Sequence, residues 1–136
     1  MKFISHFLLF LILVTSLTAC KQKAVSLNEH FKGFWRGYGN QNTIATLEIS
    51  NDSYGKYKET PNWSEGGHEH VNGMTRIEGS LLKIGPYTKF HILEFPIQID
   101  TSMSEFTVLE KKANWRMKLE LPDRFLSSGY FYMADY

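Results

Sequence analysis

The sequence predicts an all-β domain: an antiparallel up-and-down barrel of roughly eight or nine strands behind a short N-terminal helix. Three observations point there. Apolar and polar residues alternate with a period of two, most clearly in Ala45-Thr46-Leu47-Glu48-Ile49-Ser50 and in Trp115-Arg116-Met117-Lys118-Leu119-Glu120-Leu121. Turn-forming residues recur at short spacing, at Asn40-Gln41-Asn42, Asn51-Asp52-Ser53, Gly79-Ser80, Gly85-Pro86 and from Asp100 to Ser104. Beyond Gly33, no stretch carries a helical period long enough to compete.

Taken in order, Ser26 followed three residues later by Glu29 forms a capping box, with Leu27, His30 and Phe31 on one side of a turn or two. Gly33 ends that helix. Strands are then expected at 34–39, 43–50, 54–60, 70–78, 81–84, 88–99, 105–111, 114–121 and 127–134, with a break near Pro96. Phe106-Thr107-Val108-Leu109-Glu110 reads as the hairpin partner of the strand from Trp115, across residues 111–114. The last strand, around Tyr130-Phe131-Tyr132-Met133, is expected to pair with the first, Phe34 to Gly39, because closure removes edges that invite aggregation.

Composition narrows the function. The 136 residues suffice for one domain, and 15 Lys+Arg against 14 Asp+Glu leave no field that would draw nucleic acid. A single cysteine forbids an intrachain disulfide and a thiolate metal cluster. The amino terminus reads as a signal peptide over 1–19: Lys2, the apolar run Phe7 to Val14, then the small and polar residues to Ala19. That run falls short of the roughly 20 apolar residues a membrane-spanning helix needs.

Leu17-Thr18-Ala19-Cys20 resembles the bacterial lipobox, in which the cysteine thiol receives diacylglycerol and becomes the first residue of the mature protein. The resemblance implies an acylated (palmitate-bearing) Cys20, a tether over 20–25 and a barrel domain over 26–136. Lys21 is not the aspartate associated with inner-membrane retention, so an outer-membrane lipoprotein facing the periplasm is expected. Phe31-Lys32-Gly33-Phe34-Trp35 in turn resembles the F-x-G-x-W opening of the lipocalin and fatty-acid-binding superfamily, where the tryptophan plugs the closed end of the barrel. Ile77-x-Gly79-x-x-Leu82-x-Ile84 is similar to small bacterial lipocalin-like lipoproteins. The resemblance implies a binder of a small apolar or amphipathic molecule. The mid-chain threonine-aspartate-tyrosine motif of that superfamily is missing. Of the candidates for its late arginine over the tryptophan, Arg116 belongs on the outer face and Arg124 is the other.

The alternation places Trp35, Leu47, Ile49, Tyr57, Leu93, Phe95, Val108, Trp115, Met117 and Leu119 on inward faces, with Tyr130, Tyr132 and Tyr136 sharing one face of the last segment. From these, and from His91, the expected ligand-binding residues are Trp35, Tyr57, His91, Phe95, Trp115, Met117, Tyr130 and Tyr132. The same faces fit an apolar ligand cavity or a packed core. A second reading is metal binding. His68 and His70 in His68-Glu69-His70 project to one side if extended, His91 is a third imidazole, and Glu65 or Glu94 lies nearby in sequence. A third reading is a filled-barrel module that binds another envelope protein. Catalysis has little support, since G-x-S-x-G and phosphate-cradling glycine loops are both missing. No cofactor is expected. Trp63, in Pro61-Asn62-Trp63-Ser64, reads as a loop aromatic at a barrel mouth.

Overall fold

A computed structural model describes residues 29–61 and 69–135. The strands are β1 (Gly33–Tyr38), β2 (Ile44–Ile49), β3 (Tyr54–Thr60), β4 (Glu69–Glu78), β5 (Leu81–Ile84), β6 (Thr88–Gln98), β7 (Thr107–Val108), β8 (Lys111–Lys112), β9 (Trp115–Glu120) and β10 (Gly129–Met133). Eight of them close into one antiparallel barrel in the order β1-β10-β9-β6-β5-β4-β3-β2, and β7 pairs only with β8. The expected seam is present, with Arg36 opposite Tyr132 and Gly37 opposite Phe131. Gly37 is required there. A Cβ on it would stand 2.6 Å from the Phe131 ring, closer than packed atoms approach, so only glycine lets the two strands meet.

Three expectations are corrected. The N-terminal helix is, over its described part, a single 3-10 turn at Glu29–Phe31 (Ser26 and Leu27 lie outside the described residues), and no α-helix occurs among the described residues. The segment 105–111 is not a barrel strand. It forms one side of the β7–β8 hairpin on the outer face, where Val108, Ala113 and Ala134 make a small cluster with Phe34 and Tyr132. Val108 is thus buried outside the barrel. The turn between β7 and β8 puts Leu109 and Glu110 at φ of 49° and 69°. Such a left-handed pair normally announces itself as Asn-Gly, so Leu-Glu gave no signal.

The third correction concerns the face of β6. Thr88, Phe90 and Ile92 are buried, while His91 is exposed and Leu93 is 56% exposed. Pairing with β9 then slips twice, between Ile92 and Glu94 and between Glu94 and Ile97. A one-residue bulge swaps which side chains face the core. Glu94 therefore joins the outer face, and Phe95 is left 47% exposed, touching the core through Phe31, its ring centroid 5.9 Å away.

The two ends of the barrel differ. At the entry end, the 3-10 turn seats Phe31 in the core, and the Trp35 indole Nε1 donates to the Phe31 carbonyl at 2.9 Å. The far end is crossed by the link from β9 to β10, residues 121–128, which lays Phe125 over Tyr57 and Phe90.

Candidate functional site

The interior is built of Trp35, Leu47, Leu82, Phe90, Met117, Leu119 and Phe131, each with no accessible surface, together with Ile49, Ile84 and Tyr57 at 1%. A cavity able to admit water would leave the side chains around it partly accessible, so no such space borders these residues. Tyr57, Phe90 and Phe125 contact one another edge to face at 5.1 to 5.7 Å between centroids, the arrangement aromatic quadrupoles favour. Trp35, Tyr57 and Met117 thus lie inside as expected, packed against neighbours.

One carboxylate sits in this interior. Glu59 is fully buried on β3. Its Oε1 accepts the Tyr57 hydroxyl at 2.7 Å, the Leu126 amide at 2.9 Å and the Ser127 amide at 3.0 Å, while Oε2 shares the Leu126 amide at 3.0 Å. Buried acids are tolerated where donors converge in this way. Glu59 ties the 121–128 link to the wall and so holds the far end shut. Sequence reasoning missed it because Lys56-Tyr57-Lys58-Glu59 reads as an ordinary alternating strand, and its donors come from backbone amides 67 and 68 residues away.

Burial, and secondarily the bond to Glu59, holds the Tyr57 hydroxyl far above its ordinary value near 10. In the unfolded chain Tyr57 loses its proton near pH 10, whereas the folded protein keeps it. Above that pH the unfolded state binds fewer protons, so stability falls as pH rises, by about 1.4 kcal/mol per pH unit for this group. Urea titrations from pH 9 to 12 should show stability bending down to that slope above about pH 11, and Tyr57→Phe should lack its Tyr57 share; parallel curves for the two proteins would refute the assignment.

The expected metal ligands are not brought together. His68 and Glu65 lie outside the described residues. His70 is exposed on β4 opposite Lys58, a cation that disfavours a metal ion beside it. His91 on β6 reaches β4 only through Leu81, at the level of Glu78. Eight residues of strand separate that level from His70, about 26 Å. Among the described residues no group of three or more His, Cys, Asp or Glu side chains could hold a metal ion. Cys20, Trp63 and Tyr136 also lie outside the described residues.

The remaining expected ligand-binding residues are corrected to the outside or the rim. Phe131 and Met133 take the inner face of β10, so Tyr130 and Tyr132 face out. Trp115 is half-buried at the entry end, stacked on His30 at 4.7 Å, with its Nε1 donating to Asp135 at 2.8 Å.

On the outer face of β1, β10, β9 and β6, the register lines up Arg36, Tyr132 and Arg116. The Arg116 guanidinium donates to Glu94 at 2.9 Å and lies 4.7 Å over the Tyr130 ring; the Lys118 ammonium lies 5.1 Å from that ring. Arg36 covers Tyr38 at 5.5 Å. Phe106 stacks on Tyr132 at 4.1 Å and contacts Tyr38 at 5.6 Å. The Glu94 carboxylate pushes the Arg116 guanidinium up, and partial burial does the same to the Tyr132 hydroxyl. A groove of about 280 Å³ runs beside this band, walled by Met103, Phe106, Arg116 and Tyr132. Phe106 and Arg116 escaped notice as site residues because the hairpin that carries Phe106 back over β10 had no sequence signal.

Comparison with known proteins adds no assignment: the chain matches no protein-family model, no curated protein and no solved structure. The class defined by the fold is a closed eight-stranded antiparallel β-barrel.

Proposed function

We propose that the protein is a lipid-anchored envelope module, held to a membrane through acylated Cys20, whose filled barrel is a scaffold for binding a partner protein. The observation that carries this reading is the packed interior, which displaces the aromatic and cationic side chains to the outer face of β1, β10, β9 and β6. Tyrosine and arginine in contact, partly desolvated and bordered by a groove, are the composition of protein-binding hot spots. A small apolar or amphipathic ligand inside the barrel has less support, since Trp35, Tyr57 and Met117 already fill one another's surroundings.

The test places a photo-crosslinking amino acid at Tyr130 in the full chain expressed in a bacterial envelope. A discrete adduct is expected there and not from Lys56 on β3, and Arg116→Glu should weaken it. Equal adducts from both positions, or none, would count against the outer face. Saturable one-to-one uptake of an apolar fluorophore that changes Trp35 emission would restore the interior-ligand reading.

A further inference from the structure

We infer that the entry end of the barrel docks against the bilayer surface, with Leu93 and Phe95 entering the interface; this rests on the acylation of Cys20 proposed above. Three exposed apolar side chains follow one another at alternate positions of a single strand. Leu93, Phe95 and Ile97 on β6 are 56%, 47% and 40% exposed. The cause is local: β5 pairs with β6 only as far as His91, so β6 runs on past its neighbour. Leu93 follows His91 on the outer side, Phe95 is covered only on its Phe31 side, and the second slip toward β9 sets Ile97 opposite Arg116.

The chain enters the barrel at the same place. Phe31 packs on Phe95, and His30 stacks on Trp115. Residues 21–28 separate Cys20 from Glu29, and fully extended they reach at most about 30 Å. A lipid on Cys20 therefore holds this end, and with it the β6 overhang, within that distance of the headgroups. Leu93 and Phe95 suit a shallow seat of about 5–10 Å, and Trp115 suits the headgroup level. Of the nearby acids, Glu29 pairs with Lys32 and Glu94 with Arg116, while Asp135 accepts from the Trp115 indole and the Asn114 amide and keeps its charge at the rim. A protein partner at this patch would need an apolar counterpart, whereas the bilayer is already delivered by the tether.

The experiment uses the full chain processed in a bacterial host and reconstituted into brominated phosphatidylcholine vesicles. Leu93→Trp should be quenched about threefold more than Asp123→Trp, an exposed position on the 121–128 link at the far end. Adding Phe95→Asp should reduce that quenching, with circular dichroism confirming the fold; Ile97→Asp is the second variant if Phe95→Asp unfolds. Equal quenching of the two tryptophans, with the acyl mass present on Cys20, overturns docking alone. An unmodified Cys20 in the same mass spectrum overturns the anchored reading and this inference with it.

Discussion

Glu59→Leu is expected to destabilise the barrel by about 3–5 kcal/mol, the range found when one partner of a buried polar set is removed. The leucine fills the space but leaves the Tyr57 hydroxyl and the Leu126 and Ser127 amides without the acceptor they share. Glu59→Gln separates acceptor loss from shape. Its amide oxygen can take the place of Oε1 and keep all three donors, while its amide nitrogen meets the Leu126 N–H where Oε2 accepted. A cost of about 1–2 kcal/mol is expected for that single mismatch. Urea denaturation at pH 7 reads both. A leucine variant within about 1 kcal/mol of the parent would show that the far end is closed by apolar packing, not by the carboxylate.

The second large effect lies at the opposite end. Trp35→Ala should cost about 3–5 kcal/mol, since it removes a fully buried indole and leaves a hole the barrel cannot collapse into. It also strands the Phe31 carbonyl, the acceptor of the indole N–H. Trp35→Phe keeps most of the volume but not that bond, and should cost less. The hole offers its own check. Free indole binds a preformed apolar space of matching shape, so it should raise the melting temperature of Trp35→Ala and leave the parent unchanged. Without that rescue, the loss would have to come from rearrangement of the 3-10 turn.

The alternating pattern of β2 and β9 was enough to place Leu47, Ile49, Met117 and Leu119 inside, because both strands run without interruption. The same rule misled on β6, where a bulge that no residue type announces resets the faces beyond Ile92. On β10, tyrosines and apolar residues alternate through Tyr130-Phe131-Tyr132-Met133, and both sets are apolar enough to be inner. Only the seam decides, since Phe131 must lie over Gly37. The outer band depends on two further long-range facts, the return of the 104–108 segment over β10 and the pairing of β6 directly with β9. Period and spacing report local geometry and carry no information about such distant juxtapositions.

The seam sets the order of events when the protein is made. Residues 36 and 37 meet 132 and 131, so the first strand finds its second neighbour only after the long intervening stretch of chain has emerged. Contacts so distant in sequence form late and slowly. Until then the nascent sheet is an open ribbon whose margins, β1 and β9, expose hydrogen-bonding groups that a second nascent copy could match. Truncation before Gly129 makes that interval permanent. Premature termination should therefore yield insoluble, strand-paired material instead of a smaller soluble barrel.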